Sequence, residues 1–169
     1  MFLEKIKEMS VEEKYDKIYD QYILTDVIAM AFVKEMGLTD KYLEYSLKVY
    51  KKMMPSLMGS AFKFIKMLAP GRAFKKFAEG LFKDGQITEP LSTMEIVSLS
   101  DREAVIKYKN SVMLKKYRDV MKKTGLKLDL KEYWESFNEA GKEMVKEFGF
   151  DMTSHIEEDS AITVIKLKK

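Results

Sequence analysis

The chain has no cysteine, one histidine (His155), three prolines and one tryptophan (Trp134). Without cysteine there is no disulfide framework, no thiolate nucleophile and no Cys-based zinc site. A single histidine also excludes a metal cage of several imidazoles. Long hydrophobic runs are missing: the longest membrane-like stretch free of charge, Met53 to Phe62, is about half the ~20 residues that a spanning helix needs. The opening Met1-Phe2-Leu3-Glu4-Lys5 lacks the apolar core of a signal peptide, so a soluble, cytoplasmic chain is expected. Charge of one sign is also scarce. The 30 basic and 27 acidic residues leave a net charge of +3, a weak footprint for nucleic acid.

The 169 residues are 46% apolar, enough for one domain with a real core. Its first half, 1–85, reads as helical. Ser10-Val11-Glu12-Glu13 is a capping box. After it Val11, Tyr15, Ile18, Tyr22, Ala29, Val33 and Met36 recur at helical spacing up to Gly37, a C-terminal stop. Between Tyr22 and Val33 this helix is apolar nearly all round, which predicts a course through the middle of the protein. Asp26 breaks the pattern. A carboxylate there bonds to a neighbouring backbone amide, reaches the surface, or faces a pocket.

Thr39-Asp40 opens a second helix with Tyr42, Leu43, Leu47, Val49 and Tyr50 on its apolar faces. Pro55 predicts a break or kink at Met53-Met54. The helix then resumes from Ser56 to Leu68, Pro70-Gly71 ends it, and a third helix spans Arg72 to Phe82. The stretch from Met53 to Phe82 is rich in Met and Phe, which suits a core or the walls of an apolar cavity. It is also basic, with Lys51, Lys52, Lys63, Lys66, Arg72, Lys75, Lys76 and Lys83 against Glu79. Contact of the segment 51–83 with an anionic membrane surface is one reading of that charge.

Residues 86–91 read as a linker into a mixed half, 92–168. Met94–Leu99 and Ala104–Tyr108 form a hairpin, with Ala104, Ile106 and Tyr108 on one face. Asn110-Ser111 turns into a helix that ends at Thr124-Gly125. Asp129 caps a long helix, Leu130 to Phe148, with Tyr133, Trp134, Phe137, Met144, Val145 and Phe148 inward. Phe150–Ile156 and Ala161–Leu167 form a second hairpin, and the pair Val164-Ile165 predicts a last strand covered on both faces. The fold class is α+β: N-terminal helices, then β-hairpin, two helices and β-hairpin, forming a small antiparallel sheet packed by helices.

This order of elements, with Thr25-Asp26 before an apolar run and a Gly37 turn, resembles the L-2-amino-thiazoline-4-carboxylic acid hydrolase-like family. More distantly it is similar to the vinyl-4-reductase small-molecule-binding domain, whose fold is shared with a vesicle-tethering subunit. The resemblance implies a ligand-binding or hydrolytic function, and pairing of two copies through their first helices, with Tyr15, Tyr19 and Tyr22 as that surface. It also implies a role for Asp26, which matches the family's first-helix aspartate. The family's cysteines are replaced here by Asn110-Ser111 and Ala161-Ile162, so thiol-dependent chemistry does not carry over.

The resulting expectation is a small-molecule-binding domain, a sensor or carrier, for an apolar or aromatic ligand held between the Met/Phe-rich helices and the sheet. Asp26, Tyr108, Asn110 and Trp134 are the candidate ligand-binding residues, and Asp26 is the one candidate catalytic group. A hydrolase and a membrane-surface or structural protein are the alternatives. Ser154 and His155 do not form a catalytic pair, because neighbouring strand residues point to opposite faces. Ala69-Pro70-Gly71-Arg72, with one glycine, is far from a phosphate-binding loop. No metal, cofactor or nucleic-acid partner is called for.

Overall fold

A computed structural model describes residues 9–168; the side chains of residues 54–65 and of Phe137 lie outside that description. Helices α1 (Val11–Glu35), α2 (Thr39–Leu68) and α3 (Pro70–Gly85) come first. Strands β1 (Met94–Leu99) and β2 (Glu103–Tyr108) follow, then α4 (Val112–Thr124), α5 (Leu130–Lys146), β3 (Phe150–Glu157) and β4 (Ser160–Leu167). The fold is α+β, as the order of hydrophobic periods predicts.

The helix ends follow local chemistry. At α1 the Ser10 hydroxyl accepts from the Glu13 amide at 3.1 Å and the Glu13 carboxylate accepts from the Ser10 amide at 2.7 Å, a complete capping box. Ser111 caps α4 by accepting from the Leu114 amide, and Asp129 caps α5 by accepting from Lys131 and Glu132. Gly37, Gly125 and Gly149 hold left-handed conformations at the expected stops. Two boundaries differ from expectation. α3 begins at Pro70 rather than Arg72, because a residue without an amide hydrogen suits the first turn of a helix. α2 continues through Pro55 to Leu68 without the expected break, since one missing donor leaves the other turns bonded.

The sheet runs β1-β2-β4-β3, antiparallel throughout. The second hairpin docks on the first through β4, which pairs Ala104 with Ile165 and Ile106 with Thr163. On one face Ala104, Ile106, Phe150 and Ile165 are buried against Phe74, Phe77 and Ala78 of α3 and Val145 of α5. Phe150 stands edge-on to Phe74 at 5.4 Å between ring centroids and lies 4.8 Å from Phe77. The opposite face is open. Val105 and Val164 there are half-buried and Thr153 and His155 exposed, so β4 is covered on one face only. Val164-Ile165 is an ordinary alternation with an apolar residue on the wet side.

A second cluster forms where α1 crosses α4 and the start of α5: Tyr19, Ile23 and Val27 meet Tyr117, with Val120, Leu130 and Tyr133 around them. Here the structure corrects the expected course of α1. The helix is peripheral. Tyr19, Ile23, Val27 and Met30 point inward, while Ile18, Tyr22, Phe32 and Met36 are 69%, 55%, 58% and 57% exposed. Of the residues that mark the helix in the sequence, Val11, Tyr15, Ile18, Tyr22 and Met36 are exposed, while Ala29 and Val33 are half-buried.

Within the Met/Phe-rich stretch, Phe74 and Phe77 are core, whereas Met53 and Met67 are 50% and 72% exposed. Met54, Met58, Phe62, Phe64, Lys63 and the α5 residue Phe137 have side chains outside the described set. Among the described residues no helix is long and apolar enough to cross a membrane.

Candidate functional site

Asp26 is the polar residue of α1 that faces the second cluster, and its partners are two tyrosines. Tyr117 of α4 and Tyr133 of α5 both donate their phenol hydrogens to Asp26 Oδ2, the latter at 2.8 Å. Their rings lie 5.9 Å apart and tilted. A half-buried carboxylate needs donors to offset its lost hydration, and a buried phenol needs an acceptor. Three helices are tied at one oxygen. The second oxygen, Oδ1, takes no hydrogen bond among the described residues and is not sealed from solvent.

The electrostatics follow from this packing. Burial pushes the Tyr117 phenol well above its ordinary range, and Tyr133 and Asp26 push it further. Burial and then the Asp26 charge do the same for Tyr133. Tyr22, one turn before Asp26, is raised by partial burial, then by Asp26, Tyr50 and Tyr42. The phenols therefore remain neutral donors across the physiological range. The result is one carboxylate with a free oxygen in aromatic surroundings.

The other candidate residues go to different places. Tyr108 packs against the sheet-side core, and burial with the nearby Glu89 charge raises its phenol. Asn110 sits at the surface in a left-handed turn with φ 52°, a conformation asparagine tolerates. Trp134 is half-buried, and its indole N–H donates to Ser154 Oγ at 3.0 Å. Asn138, one turn on, donates to the Ser154 carbonyl at 2.9 Å, and its own Oδ1 is buried with no partner among the described residues. Ser154 is thus inward and His155 exposed, as alternation requires. Asp26, Tyr108 and Trp134 line three separate contacts. An open depression of about 700 Å³ lies at the α4–α5 connection, beside Lys34, Lys122, Lys127 and Asp129, and none of the four candidates borders it.

One buried charge lay outside the sequence reading. Glu89, in the stretch read as a linker, is 2% exposed. Its carboxylate accepts from the Ser111 hydroxyl, from the Val112 and Met113 amides at 2.9 and 3.1 Å, and from the Thr93 hydroxyl at 3.0 Å. It occupies the N-terminus of α4, where free amides and the helix dipole favour an anion. A charge between Thr88 and Pro90 gives no periodic signal that could have revealed this. The Asp26 contact carried a partial signal: a carboxylate that interrupts an apolar helix and Tyr133, expected inward on the long helix, are natural partners.

Fold and site together define an α+β chain with a tyrosine-held carboxylate where three helices meet. No family model matches this chain, and neither a curated protein nor a solved structure does. Among the described residues no group of three acidic or histidine side chains could hold a metal ion.

Proposed function

We propose that the chain is a small-molecule-binding domain, a sensor or carrier, whose ligand has an apolar or aromatic body and a positively charged nitrogen. The observation that carries this reading is Asp26: Oδ2 is held by two phenols while Oδ1 takes no hydrogen bond among the described residues, and the exposed Tyr22 stands one turn before it on the same helix. An ammonium group would pair with the open oxygen, and tyrosine faces attract cations. Hydrolysis with Asp26 as base, the activity implied by the resemblance to the thiazoline hydrolases, is less well supported. Two donors already engage its Oδ2. The membrane-surface reading rests on the basic segment 51–83 alone, in which Lys51 is paired with Glu147 at 3.1 Å.

Phenethylamine tests the proposal against phenylacetate, an anion of similar size. The amine is expected to raise the melting temperature by mass action, and phenylacetate to leave it unchanged. Asp26→Asn should remove the response to the amine while the far-ultraviolet circular dichroism stays that of the parent. Equal responses to amine and acid, or an undiminished response in the variant, would exclude Asp26 as the recognition group.

A further inference from the structure

The depression at the α4–α5 connection does not border Asp26, and its lining has a chemistry of its own. Leu126 and Leu128 are half-buried and Lys127 between them is exposed, so apolar and charged side chains alternate along the strip. Met121 and Leu126 also pack against the cluster beneath α1, so the apolar part of the lining is backed by core. Against it stand three lysines: Lys34 in the last turn of α1, Lys122 in the last turn of α4, and Lys127. Lys34 is paired with Glu132 of α5. Lys122 and Lys127 enter no ion pair among the described residues. The acid of the lining, Asp129, is committed to the helix it caps, where its Oδ1 accepts from the Lys131 and Glu132 amides. The Lys127 and Leu128 amides have no acceptor among the described residues, so the same strip carries unused donors.

We propose that this depression binds a soluble phosphate monoester with an apolar or aromatic body. Two unpaired ammonium groups call for an anion, and a phosphate monoester carries a charge of about −1.5 to −2 at neutral pH where a carboxylate carries one unit. The dipole of α4 accounts for Lys122, since a cation in the last turn of a helix is stabilised there. It does not account for Lys127, which stands two residues beyond Gly125, nor for the half-buried leucines on either side of it. Leucine, methionine and lysine in one lining suit the two ends of such a molecule. The apolar side chains cover its body, and the ammonium groups hold its phosphate. The volume of about 700 Å³ is that of a small-molecule site. With a net charge of only +3 the chain offers no broad field for a polyanion, so the selection is local. This site shares no residue with the Asp26 cluster and takes a ligand of opposite charge.

Calorimetric titration of the full chain with naphthyl phosphate tests the proposal. Binding is expected, with naphthol and inorganic phosphate each weaker by about tenfold or more, because each supplies one half of the contact. The double variant Lys122→Gln, Lys127→Gln should weaken binding of the ester by about tenfold or more. Both side chains are exposed, so its circular dichroism should stay that of the parent. Lys75→Gln, Lys76→Gln removes the same charge from the exposed side of α3 and should change the affinity by less than about twofold. Asp26→Asn should leave the affinity for the ester unchanged, which separates this site from the α1 cluster. No binding of naphthyl phosphate, an equal affinity for inorganic phosphate, an undiminished affinity in the Lys122 and Lys127 variant, or an equal loss in the α3 variant would each overturn the proposal. A loss in Asp26→Asn would place the ester at the α1 cluster and overturn it as well.

Discussion

Phe74, Phe77 and Phe150 meet beneath the sheet in a cluster whose buried members are all apolar, whereas Tyr117 and Tyr133 meet beneath α1 around a carboxylate. The first cluster stabilises by area and close packing, which tolerate no gap. The second adds polar groups that must each find a partner, and among the described residues it leaves one carboxylate oxygen without one. Evenly distributed stability does not require such an arrangement. The contrast separates a side of the molecule that holds it together from a side that has chemistry to offer.

Removing a ring beneath the sheet should show the largest effect. Phe150→Ala is expected to cost about 3–5 kcal/mol by transfer and cavity terms, read from urea denaturation. Glu89→Ala should follow at about 2–3 kcal/mol, since it strips a charged acceptor from the buried Ser111 hydroxyl and two amides. Beneath α1 the effect should be smaller: Tyr117→Phe is expected to cost about 1–2 kcal/mol. In a double-mutant cycle with Asp26→Asn the loss in the double variant should fall short of the sum of the two single losses. If Tyr117→Phe proved as damaging as Phe150→Ala, the division between the two clusters would fail. Val97→Thr, at an exposed position beside the irregularity in the β1–β2 register, should stay within about 0.5 kcal/mol.

Alkaline pH probes the same contrast. Tyr19, Tyr117 and Tyr133 are all raised, chiefly by burial. As the pH rises, the unfolded chain therefore loses these protons before the folded one does. Their contribution is intact below about pH 10 and declines above it. Part of the phenolate absorbance should accordingly appear only with unfolding. Complete ionisation of all tyrosines while the fold persists would show that the α1 cluster is open to solvent.

The sheet side was largely legible in the sequence. Period-two alternation in Ala104–Tyr108, with caps at Ser10, Ser111 and Asp129, reports directly on pleat and helix ends. α1 was legible as a helix but not in its orientation. Two apolar rows on one helix look like a buried element, and only a tertiary arrangement decides which row faces inward. Glu89 was not legible, because its partners at the start of α4, Ser111, Val112 and Met113, lie more than twenty residues away in sequence.

The Glu89 clamp has a consequence for how the molecule opens. The first amides of a helix normally fray and exchange with solvent readily. Here the Val112 and Met113 amides are held by a carboxylate 23 and 24 residues upstream. The first turn of α4 cannot unwind without releasing the α3–β1 connection, and the connection cannot lift without exposing that turn. The two should exchange deuterium together as one cooperative unit, linking the helical half of the chain to the sheet-bearing half.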